Sequence, residues 1–407
     1  MAVYPCGDSL TASLYVHVPF CAGKCDYCDF YSVPADPDDY RMSVYVDKIL
    51  EDCQLIRQKY HIEKIPSVYI GGGTPSYLGS SLVNRLVRGI REIFVITGQG
   101  ESKQPEHNAE ITLEVNPESC DEFLLMTAKE AGVTRLSLGV QSFCDASRKA
   151  VNRRGEGRLI PEKLELASKI FPGNFSADLI SGLPFQTTKI LMNDIENLLI
   201  HKPVHISLYT LTIEPGTPLA FKKSANPAGF PSPDRADKLW ITGKNILEKS
   251  GFHQYEVSNF CVAGKESIHN QRYWRMENWF GLGPAASGTL INDEAGTGQR
   301  FTNTADINTW LDRKPGISPA GAYEILDKKT LMMETILMGF RLAQGPDTEL
   351  FRQRFKINME DLLGHTLEKW RNLGLFRQDR TALTGEGLLL LDRFLIEAFA
   401  EMDSNPG

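Results

Sequence analysis

At 407 residues with 42% hydrophobic content, the chain is long enough for two or more domains around a large buried core. A net charge of −7 without a basic block gives little support to binding nucleic acid or an acidic membrane through charge alone. There is no charged-then-apolar leader and no run of about 18 apolar residues. With most of the eight cysteines scattered, this predicts a cytoplasmic protein with reduced thiols, not a disulfide framework.

The first apolar run, Leu14–Val18, leads into Cys21-Ala-Gly-Lys-Cys25-Asp-Tyr-Cys28. Three thiolates at this spacing can hold three corners of one iron–sulfur cluster. A cubane has about four irons, so one iron is left without a protein ligand, and an open metal position is where a ligand binds. Phe30 stands where a further cysteine would close that corner. A structural zinc site is the competing reading, with His17 in the preceding strand as the one nearby fourth ligand; a disulfide is a third. Cys6, Cys53, Cys120, Cys144 and Cys261 read as small buried hydrophobes and are given no role.

Short β-branched or apolar runs recur at Leu14–Val18, Val68–Ile70, Ile111–Val115, Arg135–Leu138, Ser176–Ile180 and His205–Leu211. Helical patterns lie between most of them, near Asp38–Gln58, Ser80–Phe94, Asp121–Ala131, Pro161–Ile170 and Lys189–Leu199. Strand alternating with helix predicts an α/β fold of parallel units. With fewer units than the eight of a complete barrel, the expectation is a partial (β/α)6 TIM-like barrel. A site in such a fold lies at the carboxyl ends of the strands. There stand Gly71-Gly-Gly-Thr-Pro75, Glu114 with Asn116-Pro117, Gly139-Val-Gln141-Ser142, Asp178 ahead of Ser181-Gly-Leu-Pro184, and Tyr209, Thr212 and Glu214. The glycine turn lets backbone polar groups approach a ligand, but alone it is a weak signal, with no phosphate-loop lysine beside it.

Pro215 to Pro233 reads as a loop over the barrel mouth, followed by a helix from Asp234 to Ser250. Next come Tyr255–Phe260, the polar–aromatic segment His269-Asn-Gln-Arg-Tyr-Trp274, and helices at Lys328–Leu342, Met359–Asn372 and Leu388–Phe399. The expected division is 1–230 barrel, 231–314 capping extension, and 315–407 C-terminal helical domain, winged-helix-like in one form. That last domain either packs on the open side of the barrel or recruits a partner. An isolated His269 would be a hydrogen-bonded structural histidine. Imidazole is also an iron ligand, and aromatic rings stack on porphyrins.

The cysteine spacing is the signature of the radical S-adenosylmethionine (SAM) superfamily. Leu14-Tyr-Val-His-Val-Pro-Phe-Cys21 with Cys28-Asp-Phe-Tyr-Ser32 resembles its coproporphyrinogen III dehydrogenase-like family. Glu-Val-Asn-Pro117, Gly-Val-Gln-Ser-Phe143 and Asp-Leu-Ile-Ser-Gly-Leu-Pro184 match on three further elements. The resemblance implies a 4Fe–4S cluster on Cys21, Cys25 and Cys28, with SAM on the unligated iron. It assigns Gly72, Gly73 and Thr74 to the amino group of SAM. Glu114 and Asp178 then suit amine or ribose contacts, Gln141 supplies an amide to the same pocket, Arg153 suits the carboxylate, and Tyr15 and Tyr27 the cluster and adenine. Reductive cleavage of SAM to methionine and a 5′-deoxyadenosyl radical implies a reductant of the flavodoxin or ferredoxin type. The family usually has a histidine two residues after the arginine; here that position is Gly155, which puts the histidine's role in doubt.

The His269–Trp274 segment resembles a feature of the heme-chaperone branch, which makes heme a third cofactor and His269 its candidate contact. Two functions follow from the resemblance. One is a heme chaperone delivering heme to a target hemoprotein such as a respiratory cytochrome. The alternative is an oxygen-independent coproporphyrinogen III oxidase, which converts propionates to vinyls. Phe30 in place of the oxidase's extra cysteine, and only 20 residues ahead of Cys21, favour the chaperone. A binding module that has lost cluster chemistry is a third reading. Whether SAM is cleaved in the native role, which protein receives heme and whether heme drives dimerisation stay open.

Overall fold

The computed structural model describes residues 10–62, 64–97, 109–314 and 321–404. Strands β1 (Ser13–Val18), β2 (Ser67–Gly72), β3 (Glu110–Val115), β4 (Arg135–Gln141), β5 (Phe175–Ser181) and β6 (His205–Thr210) lie side by side in that order, all parallel. Between them run α1 (Tyr40–Tyr60), α2 (Gly79–Ile93), α3 (Glu122–Ala131), α4 (Asp145–Ala150), α5 (Ile160–Ile170) and α6 (Thr188–Ile200). Caps set the helix starts: Asp39, Asp121 and Thr187 accept backbone N–H bonds at the N-termini of α1, α3 and α6.

The strands alternate with an unusual polarity. Leu14, Val16, Val68, Ile70, Ile111, Leu113, Leu136 and Leu138 are buried in the core shared with the helices. The opposite phase is polar. Register sets Tyr15, Tyr69, Thr112 and Arg135 in one row, and Glu114, Ser137, Ser176 and His205 in the next. A period of two sends these rows to the concave side. TIM barrels fill that space with branched aliphatics; this one lines it with hydroxyls, carboxylates and imidazole. The result is a cavity.

After β6 the chain forms α7 (Pro218–Ala225), α8 (Pro233–Lys249), β7 (His253–Gln254), β8 (Asn259–Cys261) and α9 (Ile268–Trp274). Then come β9 (Trp279–Leu282), β10 (Ser287–Asn292), β11 (Thr297–Thr302), α10 (Ile307–Asp312) and β12 (Ala322–Leu326). The sheet runs β7-β8-β6-β5-β4-β3-β2-β1-β9-β10-β11-β12, so β7 and β12 are its edges and it stays open. Two features differ from the sequence expectation. The loop expected over the mouth contains α7, started by Thr217, which accepts from Ala220 N–H at 3.3 Å, and by Pro218 in its first turn. And β9–β12 add strands where none was expected: glycines interrupt the apolar alternation of β9–β11, and β12 lies in the 315–407 stretch expected to be helical. Leu239, Trp240, Phe260, Phe280 and Trp310 from this stretch enter the barrel's own core.

The C-terminal helices α11 (Lys328–Gly339), α12 (Thr348–Phe355), α13 (Met359–Asn372), α14 (Gly385–Leu388) and α15 (Leu391–Ser404) enclose a second core. Phe394 is its centre, 4.6 Å from Phe340 and 5.1 Å from Trp370 between ring centroids. Between α13 and α14 a single antiparallel bridge joins Phe376 and Leu383.

Candidate functional site

A cavity of about 470 Å³ opens at the carboxyl ends of β1–β6 and extends between the polar rows. The cysteine loop forms one wall. Asp26 N–H donates to Val151 O at 3.0 Å, Leu219 N–H donates to Asp26 O at 3.1 Å, and Cys28 N–H donates to Cys25 O at 3.1 Å. The loop is thus held between the turn after α4 and the start of α7. Cys21 Sγ lies 3.3 Å from Thr74 Oγ1, and Arg153 Nη1 donates to Cys25 Sγ at 3.8 Å. Burial pushes the Cys21 and Cys28 thiols up from their ordinary pKa, a cost that a bound metal reverses.

The loop fits a multi-iron core better than one ion. Among the described residues, the metal-type ligands gathered within 4.8 Å of one another are His253, Cys261 and Glu266 at the sheet edge, not the loop cysteines. His17, the zinc reading's fourth ligand, has both nitrogens engaged. Its Nε2 donates to Tyr31 O at 2.8 Å, so Nδ1 accepts from Tyr15 O–H at 2.9 Å.

The glycine turn faces the same cavity. Gly72 has φ 110°, and its N–H donates to Glu114 Oε2 at 3.1 Å. A Cβ on Gly73 would lie 2.9 Å from both Val18 O and Phe20 O and 3.0 Å from Cys21 Sγ, so a side chain there displaces the cysteine loop. Tyr69 O–H donates to the other Glu114 oxygen at 2.8 Å. Burial, and the nearby Asp178 charge, push Glu114 up to about 7. Asp178 is also raised by burial, although Ser207 and Ser137 hydrogen bonds oppose the shift. Two reluctant carboxylates in one cavity are complementary to a cationic ligand, which restores their charge on binding.

Arg153 Nη2 donates to Asn116 Oδ1 and to Gly139 O, both at 2.7 Å, while Asn116 Nδ2 donates to Thr74 Oγ1 at 2.8 Å. Buried Arg148 organises the turn that presents Arg153, donating to Val140 O at 2.7 Å, Ser142 O at 3.1 Å and Gly155 O at 3.1 Å. Gly155 has φ 75°, and a Cβ there would meet the Glu118 side chain at 3.0 Å. Any side chain at Gly155 would thus press on Glu118, which pairs with Arg148 at 3.5 Å. Gln141, at φ 67°, is a strained non-glycine residue on the cavity wall. Its Oε1 and Arg153 Nε are buried without a protein partner, as expected where a ligand or water completes the set.

Of the residues expected from sequence, Cys21, Cys25, Cys28, Tyr27, Gly72, Gly73, Thr74, Glu114, Gln141, Arg153 and Asp178 line this one cavity. Tyr15 stands one step behind, orienting His17. His269 is apart from them. It is 2% exposed, with Nδ1 2.9 Å from Ser67 Oγ at the amino end of β2 and its ring 5.3 Å from that of Tyr69. The Glu110 carboxylate fixes this position, accepting Ile268 N–H and His269 N–H at 2.8 Å and Ser267 O–H at 3.1 Å. Burial lowers the imidazole to about 3, so it is neutral. Tyr69 was not singled out by sequence reasoning, yet it lies in the inward phase, two residues before Gly71.

The description "Radical SAM superfamily" matches residues 15–198, and "HemN C-terminal domain" matches residues 326–390. The chain is 32% identical to the heme chaperone HemW of Lactococcus lactis subsp. lactis over 95% of its own length and 97% of the relative's. It is 30% identical to the mitochondrial radical S-adenosyl methionine domain-containing protein 1 of Bos taurus over 98% of this chain and 89% of that one. Among solved structures, coproporphyrinogen III oxidase (HemN) from Escherichia coli, described as a radical SAM enzyme, superposes with TM-score 0.77 at 21% identity, covering 96% of this chain and 90% of that chain. That likeness carries the fold; the sequence matches along nearly the whole chain carry the kinship, and by them the chain belongs to the radical SAM superfamily, in the coproporphyrinogen III dehydrogenase-like family that includes the heme chaperones.

Proposed function

We propose that this chain is a heme chaperone, which holds a 4Fe–4S cluster on Cys21, Cys25 and Cys28, binds SAM beside it, and delivers heme to a target hemoprotein such as a respiratory cytochrome. The observation that carries the reading is the convergence of three thiols, a glycine turn and two raised carboxylates on one cavity, in a chain 32% identical to a heme chaperone. When bound, the cluster and SAM supply one-electron reduction chemistry. This chain's own part is to orient and to exclude water. Thr74 and Arg153 hydrogen-bond the thiolate ligands; Gly72, Gly73 and Thr74 hold the amino group of SAM; Glu114, Gln141 and Asp178 take its remaining polar groups; Arg153 faces its carboxylate; Tyr27 packs beside the cluster. No helix among the described residues is long and apolar enough to cross a membrane, which agrees with work in the cytoplasm.

The second reading, a coproporphyrinogen III oxidase, draws on the superposition with HemN. The deciding experiment incubates the anaerobically reconstituted protein with coproporphyrinogen III, SAM and a reductant, and titrates the same preparation with heme. The expected outcome is saturable heme binding without protoporphyrinogen IX; formation of that product at enzymatic rates would falsify the chaperone assignment.

For heme to touch His269, α9 must leave the floor of the barrel. Removing Ser67 and Glu110 contacts to a buried helix start costs several hydrogen bonds, each worth about 1 kcal/mol or more. A His269→Ala chain is therefore expected to lose stability, about 1–3 kcal/mol from the cavity and the lost hydrogen bond to Ser67, whose hydroxyl keeps its bond to Ser13, while taking up heme in the same proportion. Loss of the heme absorption band in a variant that remains folded would instead assign His269 as the heme contact and require α9 to open.

A further inference from the structure

The polar row on the concave side of the sheet does not end at β6. Register places Cys261 of β8 opposite His205, the residue that opens β6, and His253 of β7 opposite Cys261. Residues directly opposite share a face, so Cys261 and His253 carry the row out to the sheet edge. There the segment after β8 turns back and delivers Glu266. That residue is fixed from both sides: Lys265 N–H donates to Val262 O at 3.1 Å, and the Ser267 hydroxyl caps α9 by accepting Asn270 N–H at 3.3 Å.

Three donor atoms of different chemistry meet at this edge. His253 Nε2 lies 2.8 Å from Glu266 Oε1 and 3.6 Å from Cys261 Sγ, and the Cys261 thiol also hydrogen-bonds the Glu266 carboxylate. All three atoms fall within 4.8 Å of one another. Tetrahedral zinc, with bonds of about 2.0–2.3 Å, holds its ligand atoms about 3.3–3.8 Å apart, so the ion enters with side-chain adjustments on the order of 0.5 Å. One imidazole, one thiolate and one carboxylate suit zinc, whereas calcium and magnesium take oxygen ligands. Cys261 is fully buried while the His253 side chain is 46% exposed. The sulfur end is therefore dry, and the imidazole end faces solvent, where water supplies a fourth ligand.

We propose that His253, Cys261 and Glu266 form a zinc site at the edge of the sheet, separate from the cysteine loop. Cys261 gives its thiol proton to water as the zinc–sulfur bond forms, and nothing is oxidised or reduced. Because Glu266 directly precedes the Ser267 cap, the ion ties the β7–β8 hairpin to the start of α9.

In the test, the full chain is reconstituted anaerobically so that iron occupies the loop cysteines. It is then given zinc, desalted, and examined by metal analysis and zinc-edge X-ray absorption. The unaltered chain is expected to keep about one zinc with a single sulfur neighbour, and to melt higher with zinc than without it. His253→Gln, a change at a half-exposed side chain, should bind zinc at least about tenfold more weakly and lose the rise in melting temperature while keeping its iron. Cys261→Ser should remove the sulfur neighbour. Equal zinc in the unaltered and His253→Gln chains would overturn the site, as would no retained zinc at all. Zinc with several sulfur neighbours that persists in His253→Gln would overturn it too, and would put the metal in the cysteine loop, against the cluster assignment.

Discussion

A Cys25→Ala chain reconstituted anaerobically with iron and sulfide is expected to stay folded and hold no cubane. Iron should fall from about four ions per chain to a small fraction of that, and SAM should no longer change the spectrum. The expectation follows from where the thiols sit. Cys21, Cys25 and Cys28 lie at the mouth, outside the hydrophobic core that fixes the barrel, so deleting one costs little stability, within about 1 kcal/mol. Among the described residues the cluster has no such reserve: His17 is engaged at both nitrogens, while Cys53, Cys120 and Cys261 are buried in other parts of the fold; Cys6 lies outside the described residues. Cys144, half-buried ahead of α4, is the informative control, and Cys144→Ser should retain the full iron content. A cubane surviving in Cys25→Ala, measured by Mössbauer spectroscopy, or one lost in Cys144→Ser, would mean that other ligands hold the metal. Stoichiometric zinc on the loop thiols of the unaltered protein would remove the open iron position altogether.

The strands of the barrel and their partner helices were legible because each core-facing phase is uninterrupted, as in Leu14-x-Val16-x-Val18 and Leu136-x-Leu138-x-Val140. The cysteine loop, the glycine turn and the strand-end acids were legible for a related reason. A parallel β/α unit fixes which end of each strand meets the others, so residues distant in sequence can be assigned to one rim. What escaped was whatever depends on pairing order. Strand β9 lies beside β1 although more than half the chain separates Ser13 from Trp279, and nothing local in Trp279–Leu282 names its partner. His269 shows the same limit. Its sequence neighbours are aromatic and suggest a ligand surface, whereas its spatial neighbours, Ser67 and Tyr69, are residues of a strand about 200 positions earlier. Helix α7 was missed for a different reason: Pro215, Pro218 and Pro227 read together as loop composition, and the Thr217–Pro218 capping signal inside them was outweighed.

At pH 8 a Glu114→Gln chain without SAM is expected to melt higher than the unaltered chain, and with its cluster restored to bind SAM at least about tenfold more weakly. Burial holds the Glu114 carboxyl at about 7, above its ordinary 4.5. For a carboxyl raised in the folded state, the folded form is favoured below the unfolded pKa, and that advantage disappears as pH rises through 4.5 to 7. Above 7 the folded chain carries a buried charge that Gln does not have, a difference on the order of 3 kcal/mol. Gln keeps an oxygen for the Gly72 N–H or the Tyr69 O–H, so the packing survives while the charge goes. SAM reverses the balance, because its ammonium and sulfonium charges favour the ionised carboxylate. Affinity in the unaltered chain should therefore be level above pH 7 and fall by up to about tenfold per unit below it, as binding must first expel the proton. The Gln variant should lack this Glu114-linked fall. A variant that binds SAM as tightly, on an identical pH profile, would place the sulfonium away from Glu114 and leave the carboxylate a destabilising group without a ligand to neutralise it.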